Sequence, residues 1–596
     1  MKRFLLLLTV IVTAASCQKY DVFEFGEQHA WGGGTITLPD TLISPSVPII
    51  MPNQDTGIVL GDKLENPYSV ANMRAAYDVL RPTLFEAGID EDDITTTHFY
   101  VRFQPDNEEE LQLIKQRYGN YDIYEYPLDY ELSGRISYHD PSLPDTVPTY
   151  QYMSIDSLSW NTISRPENID FEVLERLFIP DEDLDIETFS RKLSAGTTSY
   201  EDAIEALITT SLEMTDNLED EEIDGDNTMA SNVKWYPSGR ITAYDDVVGG
   251  QVPLKGVKVR VRRWFTTYTA TTDANGNFAC DKSFKRPANY SIVWDGPKWN
   301  IRDGQVVQAY YNGPKQKGAW NLDIPNDNNK SLRYAAIHRA VHRFKEGNTY
   351  GLTRINNTFC TNICYRHKSN PDAYGDYNRE WGMYICSDIR VFGKKKNIDD
   401  TDEYRKIHEV IATTFHELGH AAHYTNNISR YSSSSKKLLE SWASFVGYYL
   451  TLKEYQELGF PDGPFNVLRK TIFDGYTIRI GLEPDGIINR QLNEVVDGND
   501  YLPIFIDMHD NNNQSIVNVE YGHTSQYYPD DKIHSIPADV IEGFVFSSNE
   551  LDEAIKKLTP FYNNNDAENN AQYDLTFPNL LKLYSLYFDT TPTLNP

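Results

Sequence analysis

Apolar positions recur every three to four residues in two long stretches past the middle of the chain. Over 404–423, Ile407, Val410, Ile411, Phe415, Leu418 and Ala422 fall on one side of a helix, and His416, Glu417 and His420 lie on the other. Over 438–452, Leu438, Trp442, Phe445 and Tyr449 make a second stripe, with Glu440, Ser444 and Gly447 opposite. A lone Glu flanked by Ser and Gly suits a face pressed close to another helix. The same periodicity predicts helices over 69–80, 107–118, 199–214 and 331–344, and shorter ones within 501–510, 541–546 and 551–558. Strand-like alternation appears at 98–103, 123–126 and, less regularly, 381–392.

Between 235 and 299 the period changes to two. Residues 239–244 form a short strand, and 253–263 a longer one with Val257, Val259 and Val261 facing in and Lys258, Arg260 and Arg262 facing out. Asp273-Ala-Asn-Gly276 is a turn between strand-like flanks. These features predict a small β-sandwich. The expected fold class is therefore multidomain α+β: a small α+β module at 62–230, the sandwich at 231–300, and a mainly α domain at 301–596. Residues 18–61, rich in Gly, Pro, Ser and Thr, read as a tether. The run from Asp216 to Asp226 reads as a solvated acidic linker without the spacing of an EF-hand.

A length of 596 residues calls for several domains. Charge narrows the function: 55 basic against 87 acidic side chains leave a formal net charge of −32, which argues against nucleic acid as a partner. Lys2 and Arg3 precede an apolar run, Phe4 to Val12, too short to span a bilayer, and Ala14-Ala15-Ser16 then lead into Cys17. Residues 1–17 resemble the signal peptide and lipobox of bacterial lipoproteins. That resemblance implies lipidation at Cys17, membrane attachment through the lipid, and a place in the cell envelope, with exposure at the outer surface as one outcome. In such a compartment a disulfide among Cys360, Cys364 and Cys386 is an option, as is a zinc site made by these three with His367; Cys280 is the remaining thiol.

His416-Glu417-x-x-His420 carries the chemistry. Four residues apart on a helix, the two imidazoles stand one turn above each other and reach one Zn2+ at ~2.0–2.1 Å. Glu417, rotated by roughly 100°, takes the place of a general base beside the metal. A catalytic zinc needs a third protein ligand. The metzincin pattern would require Gly at the place of His423 and His at that of Asn426, so it does not apply. His423 shares a face with His420 and is a minor rival; Glu440, on the following helix, is the stronger choice.

An H-E-x-x-H helix followed by a glutamate helix resembles the gluzincins, the thermolysin-like branch of zinc peptidases. The resemblance implies a zincin-like domain, a Zn2+ cofactor held by His416, His420 and Glu440, peptide hydrolysis with Glu417 as base, and transition-state stabilisation by Tyr431. Where the family carries an orienting Asp four residues after the glutamate, this chain has Ser444. In zincins a strand along the cleft binds extended substrate, and 381–392 is the segment expected to supply it. The stretch G-R-I-T … P-L-K-G-V-K-V … T-T-D-A-N-G-N-F resembles carboxypeptidase-regulatory-like (transthyretin-like) domains, which implies an accessory module. The expected function is that of a lipid-anchored zinc metallopeptidase acting on polypeptide or glycoprotein substrates outside the cytoplasm. The alternative is a non-enzymatic surface lipoprotein that captures ligand with the same scaffold. His338 and His342, also four apart but without a carboxylate between them in the motif position, read as ordinary helix residues; His509, His523 and His534 are unranked cleft residues.

Overall fold

The structure, a computed structural model, describes residues 56–144, 147–180, 199–218, 234–327, 329–355, 361–370, 375–377, 389–396 and 401–461, and shorter pieces at 463–464, 467–469, 472–473, 478–479, 482–484, 504–509, 517–520, 523–526 and 535–556. Cys17, Cys360, Cys386, His534 and most of the expected tether lie outside the described residues. The end of the expected tether is structured: Val59–Lys63 pairs with Tyr130–Ser133.

Helix and sheet are mixed throughout. The N-terminal module is a three-stranded antiparallel sheet with His98–Phe103 between Gln151–Asp156 and Phe171–Leu177. Alternation gives the central strand two cores. Val101 and Phe103 pack with Leu111, Ile114 and Met153 under the helix Glu108–Arg117. Tyr100 points the other way, toward Met73 and Tyr77 of the helix Val70–Glu86 and Leu207 of the helix Tyr200–Met214. Ser69 and Ser199 cap these helices by accepting from the amides of Asn72 and Asp202. The first helix runs past its expected end and through Pro82. The expected strand at 123–126 does not form. Only Tyr124 pairs, in a single bridge to Tyr152, and its ring is taken up by the sandwich instead.

The sandwich has two sheets. One orders Asn277–Ala279, Ser238–Asp245 and Trp320–Ile324, with Gly250–Pro253 also along Ser238–Asp245; the other orders Tyr310–Gln316, Ala288–Val293, Lys258–Arg263 and Thr266–Thr271. Val257, Val259 and Val261 meet Ile241, Leu254 and Phe278 between them. Two strands thus come from beyond residue 300, where the sequence pattern set the boundary. The expected solvent face is also covered. Arg260 and Arg262 lie over the ring of Tyr124, 4.8 and 5.6 Å from its centroid, and Arg262 donates to the Leu128 carbonyl. The outward cations are an interface.

Between the strands Ala288–Val293 and Tyr310–Gln316 the chain leaves the sandwich. Trp299–Asp303 pairs in parallel with Thr361–Ser369, which pairs in parallel with Ile389–Lys396. Gly375–Tyr377 closes that sheet as an antiparallel edge strand. The region after 300 is therefore richer in sheet than its helical pattern suggested. Three long helices cover the sheet and each other: Lys330–Lys345, Ile407–Asn426 and Lys436–Glu457. The second starts three residues later than expected because Asp402–Tyr404 pairs with Lys394–Lys396. One continuous apolar cluster runs from Ile241 and Val259 of the sandwich to Phe415, Trp442 and Val545. Among the described residues no helix is long and apolar enough to cross a membrane.

Candidate metal centre

The helices Ile407–Asn426 and Lys436–Glu457 approach closely because glycine stands at two contact points. A Cβ on Gly447 would lie 2.9 Å from the Ala412 carbonyl oxygen and 3.4 Å from the His416 Cβ; one on Gly419 would lie 3.1 Å from the Val446 Cβ. The segment between the helices is pinned from outside. Buried Arg430 donates to the Val545 carbonyl and to Asn549 Oδ1, and the Ser435 amide donates to Asp552. With the connection fixed and the helices in contact, Glu440 is carried to the histidines.

His416, His420 and Glu440 converge, all at most 3 % exposed. The Nε2 atoms of the two histidines are 3.2 Å apart, and each lies 3.3 Å from Glu440 Oε2. A tetrahedral zinc site with bonds of ~2.0 Å has ligand–ligand edges of roughly 3.3 Å, so the three atoms form one face of such a tetrahedron. The donor set of two imidazoles and one carboxylate leaves a fourth position open. Charge agrees with that fit. Burial pushes the Glu440 carboxyl up, but His420 and His416 override it and hold the group well below the carboxylate range. Burial lowers His416, against the pull of Glu440. A neutral imidazole beside an ionised carboxylate is the state that metal binding requires.

The other nitrogen of each histidine faces a hydroxyl: Ser444 Oγ is 3.5 Å from His416 Nδ1, and Tyr431 Oη is 3.5 Å from His420 Nδ1. Tyr431 is therefore next to the triad, on the side of the His420 ring turned from Glu440. Glu417 is buried at 1 % exposure, one residue from His416. It abuts the edge strand: a Cβ on Gly375 would come 2.6 Å from Glu417 Oε1 and 2.8 Å from Thr413 Cγ2. Only a glycine leaves that carboxylate its place. Tyr377, two residues on, has its ring 6.1 Å from that of Tyr424 and 6.4 Å from that of Tyr431.

Gly375 and Tyr377 lie before 381–392, the segment expected to supply the cleft strand. Of that segment, 381–388 lie outside the described residues, and Ile389–Lys396 is an inner strand with neighbours on both sides. No local pattern marks three residues as an edge strand. His423 does not join the triad. Its ring stacks on Phe546 at 4.4 Å, neither nitrogen has a hydrogen-bond partner among the described residues, and burial pushes it down to about 3. His367 faces two tyrosine hydroxyls, Tyr365 at 2.8 Å and Tyr404 at 3.2 Å. Cys364 is buried beside the Gly304 carbonyl, and Cys280 is buried and in no disulfide among the described residues. His509 meets the Ile536 carbonyl at 2.8 Å.

No family model, no curated protein and no solved structure matches the chain.

Proposed function

We propose that the protein is a zinc-dependent hydrolase that cleaves peptide bonds, with His416, His420 and Glu440 as the metal ligands and Glu417 as the general base. The observation that carries this reading is the triangle of ligand atoms with 3.2–3.3 Å edges, with Glu417 adjacent to it on the same helix. Zinc in such a site supplies Lewis acidity toward a carbonyl oxygen and lowers the pKa of a bound water. Glu417 takes the proton of the attacking water and returns it to the departing amine. The missing side chain at Gly375 leaves room for that carboxylate against the edge strand. The Gly375–Tyr377 strand, at the sheet edge and against Glu417, is placed to pair with an extended polypeptide. Ser444 and Tyr431 fix the two imidazoles through their Nδ1 atoms. We assign Tyr431 this orienting task in place of the transition-state role that the gluzincin resemblance implied.

The test is digestion of casein or a peptide library by the full chain. Cleavage should cease on chelation and return with Zn2+, and a zinc-loaded chain that cuts nothing overturns the assignment. We propose further that Cys17 carries a lipid that holds the protein at the cell envelope. A Cys17→Ala form should leave the membrane fraction, and unchanged membrane association refutes the anchor.

A further inference from the structure

The cationic face of the sandwich is only partly consumed by its interface with the N-terminal module. Beside that interface lies a cavity of about 750 Å³, walled by the helix Glu108–Arg117, the strands Lys258–Arg263 and Thr266–Thr271, and the segment around Asp295–Asn300. None of the metal-centre residues lines it. The volume is that of a small-molecule site.

Its charge is unusual for a chain of net charge −32. Lys115, Lys258, Arg260 and Lys298 line it, against the carboxylates of Asp295 and Glu346. Behind the wall, Lys258 Nζ and Arg260 Nε each lie 2.8 Å from one oxygen of Asp122, so two cations share one carboxylate. Arg260 is 5 % exposed, and its Nη1 has no hydrogen-bond partner among the described residues. That nitrogen is enclosed by protein and the guanidinium lies over the Tyr124 ring, so Arg260 brings fixed positive charge to the wall of the cavity. Lys298 stands exposed at the rim with no ion pair among the described residues. Gln112, Asn300 and Thr269 add neutral polar groups to the lining.

We propose that this cavity binds a small ligand bearing a carboxylate, sulfate or phosphate group, with the Arg260 guanidinium in its wall and Lys298 and Lys258 around it. The planar fork of an arginine matches the paired oxygens of such a group, and both lysines supply charge without fixing its orientation. Because residues from the N-terminal module, the sandwich and the segment leading out of it all line the site, occupancy ties the three together.

Titration calorimetry on the full chain tests this with citrate, sulfate and inorganic phosphate in turn, at constant ionic strength set by sodium chloride. At least one should bind saturably at one site, and the ranking of citrate against the two inorganic ions separates a carboxylate ligand from a sulfate or phosphate one. Lys298→Glu should weaken binding about tenfold, since it places a repelling charge at the mouth of the site. Arg260→Gln should weaken it by about tenfold or more through loss of the charged fork. Absence of saturable binding with all three anions, or unchanged affinity in the Lys298 variant, overturns the proposal. Lys298→Glu also decides the matter alone if Arg260→Gln does not fold, because Lys298 is exposed and contributes nothing to the core.

Discussion

Two histidine pairs share a spacing and occupy neighbouring helices, yet their surroundings differ completely. His416 and His420 turn their Nε2 atoms onto one point with Glu440. His338 and His342, on the helix packed against theirs, stack on each other at 5.8 Å and are walled by tryptophans: His338 lies 5.9 Å from Trp294 and 5.8 Å from Trp299, with Nε2 donating to the Lys255 carbonyl. The nearest carboxylate to His342 is Glu346, 3.9 Å away on its own helix. A spacing of four residues thus brings two imidazoles side by side and does no more. The element opposite decides whether they meet a carboxylate or join the core.

Removing that opposite element should have the largest effect. Glu440→Ala leaves two imidazoles, and zinc affinity and hydrolysis should fall together, by more than the 10–100-fold that accompanies loss of an outer partner. His423→Ala should change neither by a comparable amount. Metal analysis beside an activity assay checks both, and a Glu440→Ala protein with full zinc would remove Glu440 from the proposed ligand set. Glu417→Gln should keep one zinc per chain while turnover drops ~10²–10⁴-fold, the span assigned to a general base. Zinc lost from this variant would make Glu417 a ligand.

The outer hydroxyls should matter less. Tyr431→Phe and Ser444→Ala should each lower zinc affinity about tenfold, read by competition with a chromogenic chelator. No change in either would mean that packing alone holds the rings.

The other pair should respond to acid rather than to metal. Burial pushes His338 down to about 4 from its ordinary 6.5, so the folded state binds fewer protons there than the unfolded state does. Its contribution is present above pH 6.5 and is lost as pH falls toward 4. Over that window the stability advantage of the wild type over His338→Gln should shrink by roughly 3 kcal/mol in denaturant titrations, the worth of a shift of that size. Zinc binding should be the same in both. A gap independent of pH would mean that His338 is solvated.

The legible parts of this molecule are those whose contacts are local or follow from one face of one helix. The stripe at Ile407, Val410, Ile411 and Phe415 and the opposed Glu440, Ser444 and Gly447 fall out of a period of 3.6, and with them the triangle of His416, His420 and Glu440. The helix that starts near Ser69 follows from the same period. Long-range strand pairing left no such trace: nothing near Gly375 announces Val391 as its partner, and nothing near Trp299 announces Thr361. Alternation in Lys258–Arg263 was legible, but whether water or another module faces its cations depends on residues 122–128, more than a hundred positions away. The place of Tyr431 behind His420 depends on the short helix Ile428–Ser433, whose direction the sequence does not encode.

The excursion of Trp299–Asp303 bears on ancestry and on cutting the gene. A sandwich whose chain departs to lend a strand to the neighbouring sheet, then returns to complete itself with Tyr310–Gln316 and Trp320–Ile324, cannot be shuffled as a cassette. Any break at 300 cuts through an inner strand of the neighbouring sheet and takes one strand from each of the two sheets of the sandwich. Heat should therefore melt both regions in a single calorimetric transition, and neither half should be obtained as a stable fragment.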